Sequence, residues 1–172
     1  MPHDIFMTVE ATEEGETLSE GASSEDSIGA FSKAQHEDKI YVLGFQQRLS
    51  LPTDRKTGGV VGNRRHEYLT ITKLIDKSSP LLHAKLVNPT KLDCELEFFR
   101  PSDAGGEGEP QHYYTITLEK AKIVSIETTS PNLLDPRNDD FMPYEVVTFL
   151  YGGIDWVHEV GSTNASDTWS GE

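Results

Sequence analysis

A single cysteine, Cys94, in 172 residues rules out a disulfide within the chain. No apolar run approaches the ~20 residues that a membrane-crossing helix needs, so no membrane insertion is expected. Met1-Pro2-His3-Asp4 offers no basic segment ahead of an apolar one, so no cleaved Sec-type signal is read. Positive charge is scarce. Fifteen Lys and Arg stand against twenty-nine Asp and Glu, a formal net charge of −14. That balance speaks against nucleic acid or an anionic membrane as partner and favours solubility.

Catalytic patterns are missing as well. The six histidines (3, 36, 66, 83, 112, 158) form neither H-E-x-x-H nor a cysteine-flanked pair, and there is no G-x-S-x-G. His66 and His112 read as exposed polar residues, and His83 as a surface side chain on a helix. Cys94 sits on an apolar strand face and reads as a small core residue, not a nucleophile. Gly58-Gly59-Val60-Val61-Gly62 is followed by Asn63-Arg64, with no Lys-Ser/Thr and no helix, so it is not a phosphate loop. Asp93, Glu95 and Glu97 alternate along one strand, which marks a wet face sooner than an acid–base pair. Asp135-Pro136-Arg137-Asn138-Asp139-Asp140 is an acidic turn without the EF-hand pattern. The expectation is no catalytic site, no metal and no cofactor.

What the chain does have is strands. Residues 4–11 read as the first. Residues 12–38 are rich in Glu, Ser and Gly and read as an acidic insertion or loop with room for one short strand near 27–32. Residues 1–40 hold ten acids and two lysines, over half of the total acidic excess. In 39–51, Leu43, Phe45, Leu49 and Leu51 share one face, and Val42, Gly44, Gln46, Arg48 and Ser50 the other. In 68–75, Leu69, Ile71 and Ile75 oppose Tyr68, Thr70 and Thr72. In 91–100, Leu92, Cys94, Leu96 and Phe98 share a face. Residues 111–128 form a long run whose phase slips near Glu119–Lys120, which predicts a bulge or bend. Residues 144–160 form the last run, with a break at Gly152-Gly153. Ser102 to Pro110 reads as a hairpin tip. One short helix is expected, with Ser79 as N-cap, Pro80 at its first position and Asn88-Pro89 at its end.

Between the strands at 39–51 and 68–75 lies a long excursion with three glycines and four basic residues, Arg55, Lys56, Arg64 and Arg65. It is the positively charged feature of an acidic molecule. The sum is a mainly β fold of seven or eight strands and one short flanking α-helix. A closed barrel, or two sheets curled into one, removes the edges. Residues 1–160 read as one domain and 161–172 as a flexible polar tail.

Two stretches carry a family resemblance. They are Leu51-Pro52-Thr53-Asp54 and Lys73-Leu74-Ile75-Asp76-Lys77-Ser78-Ser79-Pro80-Leu81-Leu82, supported by Lys91 to Arg100, Tyr113 to Ala121 and Ile154-Asp155-Trp156. Over residues 4–160 the sequence resembles the Hcp family, the haemolysin-coregulated proteins that are tube subunits of bacterial type VI secretion. The resemblance implies a two-sheet β-barrel with a flanking helix, six copies in a ring around a channel, and rings stacked into a tube inside a sheath. It implies small effectors held and protected in the lumen, and a sheath and a VgrG-type spike as further partners. It implies synthesis in the bacterial cytoplasm and secretion through type VI secretion without a cleaved signal.

Under that resemblance Gln46 matches a lumen position. Gln46, Arg48, Ser50, Thr70 and Thr72 become candidates for the channel side, with Leu43, Phe45, Leu69 and Ile71 in the barrel core. The loop 53–66, with Arg55, Lys56, Arg64 and Arg65, becomes the candidate contact between rings. The competing expectation is a stand-alone β-barrel binding module or effector acting on a target cell. Only about twelve polar residues follow Val160, too few for a fused toxin domain.

Overall fold

The computed structural model describes residues 3–102 and 108–169. Its strands are β1 (Ile5–Ala11), β2 (Glu16–Thr17), β3 (Ile40–Gln46), β4 (Leu49–Ser50), β5 (Arg65–His66), β6 (Leu69–Leu74), β7 (Leu92–Arg100), β8 (Gln111–Thr129), β9 (Tyr144–Leu150), β10 (Gly153–His158) and β11 (Thr163–Thr168). Two helices accompany them, α1 (Glu25–Ile28) and α2 (Ser79–Val87). All strand pairs are antiparallel, and the main sheet runs β11-β10-β8-β7-β1-β3-β6-β9. A further β8–β9 pairing closes β1, β7, β8, β9, β6 and β3 into a ring.

Closure rests on the length of β8. Its first part pairs with β7 and β10, and Lys122 to Thr129 pair with β9. The partner run is nearly continuous: Leu150 faces Lys122 and Gly153 faces Glu119. The expected phase slip is there. Cys94 pairs with Leu118 but Leu92 with Ala121, and Lys120 has φ +51°. On the partner run, a Cβ at Gly152 would lie 3.3 Å from the Lys120 Cβ and 3.4 Å from the Glu119 carbonyl oxygen, so the bend is tight enough to favour glycine there.

The core lies within the ring. Val9, Leu96, Leu118, Ile71 and Phe149 are fully buried, and Cys94 is among them, where burial raises the pKa of its thiol. Leu69 and Ile71 of β6 point inward as their pattern predicts.

Strand β3 does not follow its predicted phase. Ile40 and Val42 are buried while Leu43 is 48% exposed. A register shift between Val42 and Gly44 turns the strand, and Phe45 packs at the margin of the core. The strand ends at Gln46, so Leu49 and Leu51 leave the barrel and stand exposed. Ile75, past the end of β6, is exposed too.

Residues 12–38 are not a detached acidic loop. Leu18, Ala22 and Ile28 are buried there, Ser19 and Ser23 are shut in with them, and the short helix α1 replaces the expected strand. Small side chains and backbone bonds such as Leu18 N–H to the Val9 carbonyl of β1 hold the segment against the ring. The polar tail also differs from expectation. Thr163 to Thr168 form β11 along the whole of β10, and Trp169 packs against the core. Residues 103–107 of the predicted hairpin tip and residues 170–172 of the tail lie outside the described residues.

Helix α2 begins one residue earlier than predicted, at Ser79, with Ser78 flanking it. The Ser79 hydroxyl accepts the Asp76 N–H at 3.0 Å and donates to Glu145 Oε2 at 2.7 Å. It belongs to a buried charged cluster around Lys73. The Lys73 ammonium, fully buried, lies 3.0 Å from Glu145 Oε2, 3.0 Å from Asp76 Oδ1 and 2.9 Å from Ser79 Oγ. Burial pushes the Glu145 carboxyl pKa up, but the Ser79 hydroxyl and the Lys73 ammonium outweigh it and hold it below its ordinary value. The cluster ties β6, the start of α2 and β9 at one end of the ring.

Removing one partner strands the others in a dry site. Lys73→Met is expected to cost about 3–5 kcal/mol in urea unfolding. The double variant Lys73→Met/Glu145→Met should recover a large part of that loss.

Candidate channel face and basic hairpin

The outward face of β3, β6 and β9 is built by alternation. Leu69 and Ile71 point inward, so Thr70 and Thr72 point out. Gln46 pairs with Thr70, and Thr70 with Thr148, which makes a polar row across three strands. Gly44 pairs with Thr72, and Thr72 with Val146. A cavity of about 580 Å³ at the row's end is lined by Gln46, Arg48, Thr70, Thr148, Tyr68 and Trp169, among others.

The structure therefore groups three of the five channel-side candidates, Gln46, Arg48 and Thr70. Arg48 is exposed and pairs with Glu67 at 3.5 Å. Thr72 lies on the same face but lines a second, more apolar groove with Leu43 and Val146. Ser50 belongs to the separate β4–β5 ribbon, half-buried beyond the end of β3.

That ribbon is the stem of a hairpin. Ser50 pairs with Arg65 and Leu49 with His66. Farther out, a Thr53–Val60 bridge and the bonds from Asp54 N–H to the Gly59 carbonyl and from Gly58 N–H to the Asp54 carbonyl close a compact tip. Gly58 and Gly62, at φ +69° and +98°, supply turns that other residues resist. Arg55 and Lys56 are exposed on the tip. Arg65 is exposed on the stem. Arg64 is exposed but engaged, since its guanidinium grips both carboxylate oxygens of Asp167 on β11.

His66 is the residue that sequence reasoning misjudged. Its side chain is buried, with Nδ1 2.9 Å from the Tyr151 hydroxyl and Nε2 2.8 Å from Asp167 Oδ2. Its ring stacks on Trp169 at 5.8 Å and meets Tyr151 edge-on. Asp167 thus takes both Arg64 and His66, and fixes the hairpin stem to the last strand. The hydrogen bonds from the Arg64 guanidinium, and after them that from His66, hold its carboxyl well below the usual carboxylate range against the opposing effect of burial. Trp169 was the one apolar signal in a polar stretch that could have pointed to this anchor.

The other polar clusters are local. Asp135 accepts from Arg137 in its own turn at 2.8 Å, and among the described residues no group of three or more His, Cys, Asp or Glu is placed to hold a metal ion. Of the strand acids, Asp93 accepts from Thr12 and Glu97 from Lys39, so each is held as part of a surface network. His112 lies with Nε2 2.8 Å from the Thr115 hydroxyl, half-buried.

The family profile described as "Type VI secretion system effector, Hcp" matches residues 6–158. The chain belongs to the Hcp family. The Major exported protein of Pseudomonas aeruginosa is 40% identical over 170 residues, covering 98% of this chain and 96% of that protein. The crystal structure of an Hcp protein superposes with a TM-score of 0.91 at 31% identity, covering 99% of this chain and all of that one. The secreted protein Hcp3 from Pseudomonas aeruginosa follows at 0.81 and 35%, covering 98% and 99%. The barrel with its flanking helix is thus an Hcp fold, and this Hcp protein is a type VI secretion protein of the exported kind. No helix among the described residues is long and apolar enough to cross a membrane.

The depressed pKa of Asp167 gives a signed pH dependence. Its stabilising share is complete at neutral pH. It begins to fall once the unfolded chain takes up protons near its ordinary value of 3.8, and it is gone below the lower folded-state value. Asp167→Asn should lower Tm by a few degrees at about pH 6, and the gap to the unaltered protein should narrow as the pH drops towards about 3. Melting curves across that range check it.

Proposed function

We propose that this Hcp protein is a structural subunit of the type VI secretion tube. Six copies close into a ring, rings stack, and the outward face of β3, β6 and β9 lines the channel. The observation that carries this reading is the polar row Gln46–Thr70–Thr148, a water-compatible strip on a sheet whose other face is the core. A channel wall needs such a strip, and a self-contained barrel has no need to keep it flanked by a rigid, anchored hairpin. The hairpin with Arg55, Lys56 and Arg65 is the contact between rings. Small effectors rest against the wall through modest contacts repeated six times, so that avidity replaces strong single contacts. The sheath and a VgrG-type spike complete the set of partners, and the tube leaves the cell through type VI secretion.

Native mass spectrometry tests the assembly. The expected particle has six times the 19.2 kDa mass of the chain, and a particle of one chain at every concentration and ionic strength rejects the tube reading. Each copy carries −14, so added salt should strengthen ring closure by screening repulsion beyond roughly 8 Å. Stacking through the basic hairpin should weaken under the same salt.

Gln46→Trp places a bulky ring on the channel wall. Rings should persist while co-purified effector falls by tenfold or more; undiminished effector on intact rings would remove Gln46 from the wall.

A further inference from the structure

The outward face of β3, β6 and β9 ends differently at its two extremes. Beyond Gln46, Leu69 and Phe149 it gives way to the basic hairpin. There Val60 and Val61 stand out into solvent, Val60 at 61% exposure, beside Arg55 and Lys56. Around Leu74 and Tyr144, towards the opposite extreme, opens a groove of about 580 Å³ lined also by Phe31, Leu43, Phe141 and Met142. Phe141 is 59% exposed. Asp140 also lines the groove, Asp139 stands exposed next to it, and no basic residue is among the lining.

The two features are chemical complements. One is a pair of valines with cations beside them, and the other is an apolar trough with carboxylates at its rim. They cannot meet within one chain. The β4–β5 stem and the Arg64–Asp167 pair hold the hairpin at its own end. Phe141 and Met142 precede β9, and the seven residues of that strand put about 20 Å between them and the hairpin end. A protruding group at one end and its receptor at the other make a heterologous, head-to-tail contact, the kind that propagates in one direction.

We propose that the hairpin of one copy seats Val60 and Val61 in the Phe31–Leu43–Phe141–Met142 groove of a second copy, with Arg55 and Lys56 facing Asp139 and Asp140. This rests on reading the hairpin as the contact between rings, and it assigns the receptor. The apolar contact supplies adhesion, and the opposed charges set the register and the salt sensitivity. The exposed aromatic and methionine side chains of the groove are then covered in the stack. Four of the fifteen basic residues of an acidic chain lie on this hairpin, so a second copy, although acidic overall, brings a locally positive group to the carboxylates at the groove's rim.

Cysteine pairing tests the contact directly, because the one native thiol, Cys94, is buried. In oxidised rings, Val60→Cys combined with Phe141→Cys should give a ladder of covalent oligomers beyond the dimer. Each single variant should stop at dimers, since a copy with one new thiol cannot extend a chain. A second arm uses charge. Asp139→Lys with Asp140→Lys should cut the fraction of rings found in tubes by tenfold or more in electron micrographs, and adding Arg55→Glu with Lys56→Glu should restore it. Two failures are distinguishable. If deletion of residues 55–62 leaves tubes intact, the hairpin is not the ring contact and both readings fall. If that deletion abolishes tubes, yet no ladder forms and Phe141→Ser with Met142→Ser stacks normally, the hairpin stands and its receptor lies elsewhere.

Discussion

Backbone hydrogen bonds between β8 and the β9–β10 run decide the shape of this protein. The two runs pair along most of their length, and the pair bends where Lys120 takes a positive φ and Gly152 leaves room beside it. One limb of the bend joins β7 and β1, the other joins β6 and β3, and the β1–β3 pairing shuts the ring. A straight β8 would leave two separate edges, and every buried side chain between them would face water. The bend also fixes the outward face of β3, β6 and β9, because closure determines which side of those strands is left outside.

At each end of that face a charged group is held by the fold. At one end Lys73, Asp76, Ser79 and Glu145 bind the helix start to β6 and β9 beneath the apolar groove. At the other, Asp167 holds Arg64 and His66 and steadies the hairpin stem. Both clusters couple segments far apart in sequence. Loosening either cluster therefore both lowers Tm and frees one end of that face.

Much of this was legible from residues alone. In β7, Leu92, Cys94 and Leu96 alternate with acids, and only one phase buries them, so the strand and its inner face could be read off. In β3, Val42, Leu43 and Phe45 put apolar groups on both faces, so alternation fits either phase. The choice is made by pairing with β1, where Ile5 meets Val42 and Met7 meets Ile40, and by the irregularity that follows. The segment 12–38 misled by composition: its buried positions are filled partly by Ala22, Ser19 and Ser23, residue types that also make loops. Strand β11 has no apolar face at all and exists through backbone pairing to β10. His66 could not be placed without it, for its partner Asp167 comes from that strand. Gln46 and Thr70 were readable as outward and polar, while the grouping with Thr148 needed the β6–β9 register.

The solitary sulfur at Cys94 bears on the passage of an exported protein between compartments. Buried on β7, its thiol is kept protonated and out of reach of oxidants and glutathione. Leaving a reducing cell interior for oxidising surroundings then changes no bond in the molecule. With its one sulfur shut away, the protein carries no exposed thiol among the described residues that could tie it covalently to another molecule.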